Sequence, residues 1–157
     1  MPADATPFLL HRTYTGKRKL DGTWEYHEGV ELRPTDDPTK RIINWHDQHY
    51  ASGIERNRIT GRRFKRIARI IKQLREDMRT SGKSEAKAAA APAASFLIEC
   101  LVFNAPDSCF NLQEGTYYDD VRAVILDGYK QTEGDASAAT MLEVNERKLL
   151  FGSHQGW

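Results

Sequence analysis

The chain opens on short alternating stretches and continues in longer ones with three- and four-residue spacing. Residues 8–14 predict a strand that ends at Thr15-Gly16, and residues 23–32 alternate aromatic with polar side chains and predict a second. Arg33-Pro34-Thr35-Asp36-Asp37-Pro38 is turn chemistry, two prolines around two acids. Ile42-Ile43-Asn44-Trp45 predicts a third short strand.

Beyond Trp45 the period changes to that of helices. Asp47-Gln48-His49-Tyr50 begins a short helix expected to close at Gly53. Asn57 or Thr60 caps a long helix running to Met78 or Arg79, with Phe64, Ile67, Ala68, Ile70, Ile71, Leu74 and Met78 in one buried stripe. Residues 80–94 are poor in bulky side chains and predict a flexible connection, with transient helix at most. Ser95 caps a helix over 96–104 that is apolar nearly all round and therefore central. Residues 106–115 form a loop. Thr116 caps a third helix over 117–129, with Tyr118, Val121, Val124, Ile125 and Tyr129 inward. Residues 134–139 read as a loop, and 143–151 as a last short helix or strand ended by Gly152. No internal repeat is present.

Composition narrows the classes without choosing among them. With 157 residues the chain fits one domain with a real core. The net charge of +1 gives no whole-molecule field for nucleic acid or membrane. The charge is local instead: between Arg56 and Arg79 basic residues far outnumber Glu76 and Asp77. No stretch approaches the roughly 20 apolar residues of a spanning helix, and Met1-Pro2-Ala3-Asp4 has no leader-like character. Two cysteines, Cys100 and Cys109, make neither a disulfide framework nor a zinc site, so a reducing cytoplasm is the expected compartment.

Candidate chemistry lies on the basic helix. Arg62, Arg66 and Arg69 fall near one face, as do Lys65, Arg69 and Lys72, and such a face suits phosphate. The same face also suits plain solubility. Ser95 is a helix cap or, at that N-terminus, a partner for a phosphate oxygen. The histidines, including the His46/His49 pair, lack metal-site spacing. No Gly-rich phosphate loop and no Ser/His/Asp set is present.

The motifs become specific when taken in order. Asn44-Trp45, Gln48-His49-Tyr50, Gly53, Asn57 and the run from Thr60 to Lys72 are followed by Ser95-Phe96-Leu97-Ile98-Glu99-Cys100-Leu101-Val102. Then come Cys109-Phe110, Tyr117, Asp120-Val121-Arg122, Glu143-Val144-Asn145-Glu146 and Leu149-Leu150-Phe151. Over nearly its whole length the chain resembles the cGAS/DncV-like nucleotidyltransferases (CD-NTases), bacterial makers of cyclic di- and trinucleotides.

That resemblance implies a polymerase-β-like catalytic centre with a Gly-Ser motif, an Asp/Glu-x-Asp pair and a third carboxylate. Two magnesium ions held by the three acids would activate a hydroxyl against an α-phosphate. Neither the Gly-Ser motif nor the acid pair occurs ahead of the matching region, where three residues precede Asp4. Residues 3–14 match the segment around the third carboxylate, which makes Asp4 that acid. Lys65 matches the helix lysine that meets the donor triphosphate, and Ser95 the helix-start serine that does the same. Arg62, Arg69 and Lys72 join them as expected phosphate contacts. The family pattern continues into another helix beyond Trp157.

The expected fold is α+β, mainly α. Residues 1–45 form a strand-rich remnant beside a missing catalytic core, and 46–157 a helical nucleotide-clamping bundle with the flexible linker 80–94. The expected function is the C-terminal portion of a cyclic-oligonucleotide synthase of bacterial antiviral defence (CBASS). It would be inactive without a partner carrying the Gly-Ser and Asp-x-Asp motifs. Magnesium or manganese would bind at Asp4 only together with that partner's acids. Nucleoside triphosphates and a protein partner or second copy covering the exposed core are the expected ligands, with no membrane. The alternatives are a stand-alone nucleotide- or RNA-binding module and an interaction protein that binds a full synthase.

Overall fold

The structure, a computed structural model, describes residues 8–37 and 39–152. The fold is α+β. Strands β1 (Leu9–Arg18), β2 (Trp24–Leu32) and β3 (Ile42–Asn44) form an antiparallel sheet in that order. Tyr14 faces Tyr26, Leu10 faces Val30, and Val30 faces Asn44. Then follow α1 (His46–Ile59), α2 (Arg63–Thr80), α3 (Ser84–Ala90), α4 (Ser95–Asn104), α5 (Tyr118–Thr132) and the short α6 (Asp135–Ala138). No single helix among the described residues is long and apolar enough to cross a membrane.

Several local expectations give way to packing. β1 runs past Thr15-Gly16 because Gly16, at φ +80°, sits where the register shifts between Tyr14 and Arg18. Helix α1 continues through Gly53 to Ile59. Gly53 is buried within the helix, and a Cβ there would meet only a methyl of Val144 at an ordinary contact distance of 3.8 Å, so the glycine is not a helix end. Residues 80–94 are no structureless connection, because α3 packs on α2 and buries Ala90. Residues 143–151 are neither helix nor strand. They form turns tied by one bridge between Leu142 and Leu149, with Glu146 at φ +55°.

The caps behave differently at α2, α4 and α5. Arg62, and neither Asn57 nor Thr60, holds the N-cap position of α2, but both side chains serve its first turn: Thr60 Oγ1 accepts from the Phe64 N–H at 3.1 Å, and Asn57 Oδ1 from the Lys65 N–H at 3.2 Å. Between α1 and α2 the chain turns on Gly61 and Arg62, both left-handed, at φ +58° and +66°. Neither Ser95 nor Thr116 caps its helix, since Ala94 and Tyr117 occupy those positions and neither helix has a side-chain cap bond.

The core forms where α2, α4 and α5 meet. Phe64, Ile67, Ala68, Ile98, Val102 and Val124 are buried there together. A second cluster joins Cys100 of α4 to Met141, Val144 and Leu150. The apolar stripes are wider than the contact: Ile70 and Leu74 of α2 are exposed, as are Tyr118, Ile125 and Tyr129 of α5, all expected inward. Trp45 joins sheet to helices, buried over Gly29, edge-on to the His11 ring and under the Arg147 guanidinium.

Candidate functional site

Helix α2 presents Lys65, Arg69 and Lys72 along one side because residues at steps of three and four share a face. These three, with Phe64 and Ala68 as floor and Glu99 of α4 as the facing wall, line a cavity of about 250 Å³. The lining is three cations against one anion. Lys72 Nζ donates to Glu99 Oε2 at 2.6 Å. On the other side His49 Nε2 of α1 stands 3.6 Å from Glu99 Oε1, its ring stacked on Phe96 at 5.8 Å between centroids. His49 and Lys72 together outweigh the cost of burial and bring the Glu99 carboxyl down to about 2. Glu99 is therefore a fixed negative charge near neutral pH.

Among the described residues the side chains of Lys65 and Arg69 have no hydrogen bond or ion pair, so both stay available to an anion. Arg62 sits apart, exposed on the α1–α2 turn. Arg66 is engaged elsewhere, donating to the Tyr117 hydroxyl and lying over its ring. The Ser95 hydroxyl accepts from Arg75 Nη2 at 3.1 Å, while Arg75 Nη1 holds the Ala93 carbonyl at 2.8 Å. Ser95 does not line the Lys65 cavity; it lies one turn before Glu99, next to Arg75. Asp4 lies outside the described residues.

Sequence reasoning passed over Glu99 and Arg75. Glu99 had a legible signal, as the one charged residue in the otherwise apolar run of α4. Arg75 had none beyond being one more base on α2. Among the described residues no three His, Cys, Asp or Glu side chains come together to hold a metal ion, so these residues do not themselves make a two-metal site.

Residues 51–157 match the family model of the cGAS/DncV-like nucleotidyltransferase C-terminal helical domain. The chain is 37% identical over 155 residues to a cyclic dipyrimidine nucleotide synthase, CdnE, of Legionella pneumophila, covering 99% of this chain and 47% of that protein. It is 30% identical over 151 residues to a cyclic dipurine nucleotide synthase of Elizabethkingia meningoseptica, covering 96% and 46%. Among solved structures, Elizabethkingia meningoseptica CdnE with GTP and Apcpp matches with a TM-score of 0.73 at 29% identity, over 95% of this chain and 49% of that one. Rhodothermus marinus CdnE c-UMP-AMP synthase with Apcpp and Upnpp matches at 0.68 and 26%, over 92% and 44%. The chain spans about half the length of the curated relatives it matches.

Proposed function

We propose, from the premise that this chain belongs to the cGAS/DncV-like nucleotidyltransferase family through its C-terminal helical domain, that it supplies the triphosphate-gripping helical half of a cyclic-oligonucleotide synthase. The observation that carries this reading is the cavity on α2, where Lys65 and Arg69 face an open space with no counter-ion of their own among the described residues. A nucleoside triphosphate presents several negative charges and takes both cations at once. Lys72 contributes once it is drawn from Glu99. Ser95 and Arg75 extend the same α2–α4 surface by one helical turn.

The sheet supports the rest of the reading. β1 is an edge strand, and Leu9 and Leu10 are both exposed although consecutive strand residues point to opposite faces. Among the described residues its start is thus apolar, uncovered on two faces and unpaired along one side, as suits a strand continued by more sheet. That further sheet would carry the Gly-Ser and Asp-x-Asp motifs. Asp4 would complete its acid set from this side, and magnesium there would supply the charge that activates the attacking hydroxyl.

An NMR titration of the isotope-labelled chain with a non-hydrolysable nucleoside triphosphate tests the cavity. Binding of about millimolar strength is expected without metal, with the largest shifts at Lys65 and Arg69. Lys65→Ala with Arg69→Ala should weaken it at least tenfold, about 1.4 kcal/mol. Equal affinity in that double variant would overturn the proposal.

A further inference from the structure

A phosphate cradle has no use for a fixed anion, yet Glu99 lines this one. The carboxylate is half-buried, reaches across from α4, and keeps Lys72 at 2.6 Å, so one of the three cations is already neutralised. The pair is about a quarter exposed on each side, at 27% and 28%, so solvent reaches it and a competing anion can too. His49 steadies the second carboxylate oxygen from α1 and leaves the carboxylate aimed at Lys72. A purely architectural clamp between helices would work equally well away from the cavity wall.

We infer that Glu99 is an internal competitor for Lys72, a residue that sets the affinity of the cavity by withholding one cation until a polyphosphate displaces it. The inference rests on the phosphate reading of the same cavity. A polyphosphate carries several charges and outcompetes a single carboxylate, whereas a singly charged ligand does not, so Glu99 tilts the site toward di- and triphosphates. Removing the carboxylate takes away both the competition and a like charge a few ångströms from the ligand.

Titration of the whole chain with inorganic tripolyphosphate tests this, with a thermal melt of each variant to establish folding. Glu99→Gln keeps the shape and should bind about five to ten times more tightly. Lys72→Gln bares the carboxylate to the ligand and should bind about fivefold more weakly. The double variant removes a pair that is neutral as a unit and should return to within about twofold of wild type. Unchanged or weaker binding by Glu99→Gln overturns the inference and leaves Glu99 a clamp. If that single variant does not fold, the double variant should bind about fivefold more tightly than Lys72→Gln alone, and equal affinities overturn the inference. Binding that Lys65→Ala abolishes and Glu99 variants leave alone overturns this inference only. No tripolyphosphate binding by any form overturns the phosphate reading with it.

Discussion

Arg63 and Asp120 stand 57 positions apart in the chain and meet in a buried ion pair, Nη1 to Oδ2 at 2.7 Å. Each partner also ties down the loop between α4 and α5. Asp120 accepts from the N–H groups of Asn111 and Leu112 at 2.8 and 2.9 Å, and Arg63 donates to the carbonyls of Thr116 and Gln113 at 2.6 and 3.1 Å. Arg63 is the first residue of α2, so the pair anchors the helix that carries Lys65, Arg69 and Lys72.

Asp120→Ala should therefore cost about 3–5 kcal/mol of unfolding free energy, because it strands a buried guanidinium and two amide N–H groups. Urea unfolding followed by circular dichroism measures it. A loss under about 1 kcal/mol would show that the pair is easily replaced by water.

Two glycines matter for different reasons. A Cβ on Gly29 would stand 2.7 Å from the Asn44 carbonyl oxygen and 2.8 Å from Trp45 Cε3, so Gly29→Ala should push Trp45 off the sheet and cost about 1–3 kcal/mol. Gly61 has open space around it and φ +58°, so Gly61→Ala should cost only the backbone term, about 1 kcal/mol. Denaturant midpoints of the two variants, taken side by side, should rank them in that order.

Stability should fall in acid through two named carboxyls. Arg41 and Arg33 bring Glu31 down to about 2, and His49 and Lys72 do the same for Glu99, from an ordinary 4.5. Above that ordinary value both groups are ionised in folded and unfolded chains, and the pairs contribute in full. As pH drops from there toward about 2 the unfolded chain takes up more protons, and the contribution is lost. Urea midpoints between neutral pH and pH ~3 should decline, and Glu31→Gln should flatten the decline. An identical slope in the variant would remove Glu31 from the explanation.

The thiols should be silent. Burial pushes Cys100 up to about 12 and raises Cys109 as well, which leaves little thiolate at pH ~8. A disulfide-exchange reagent should react with neither in the native chain and with both in denaturant. Rapid native modification of Cys100 would mean that α4 opens on the timescale of the assay, and of Cys109 that the turn after α4 does.

Local chemistry was legible wherever the deciding partners lie close in sequence. The alternation of β2, the period of α2, and the hydrogen bonds from the first turn of α2 to Asn57 and Thr60 all involve residues within eight positions of one another. So does the shared face of Lys65, Arg69 and Lys72, which follows from helical spacing alone. Motif order along the chain carried the family assignment in the same way.

Tertiary structure decided the rest, through contacts between residues far apart in the chain. Gly53 reads locally as a helix stop, yet the helix continues through it, with the glycine buried near Val144. The alanine run at 84–90 gains its order from α2, and its own composition would not supply it. Stripe residues such as Leu74 and Ile125 are apolar but uncovered, since periodicity reports which side a residue takes and not how far its neighbours reach. Above all, the pairing of Lys72 with Glu99 joins side chains 27 positions apart. The sequence shows three cations on one helix face; only the packing of α4 against α2 brings a carboxylate to one of them and leaves the other two open.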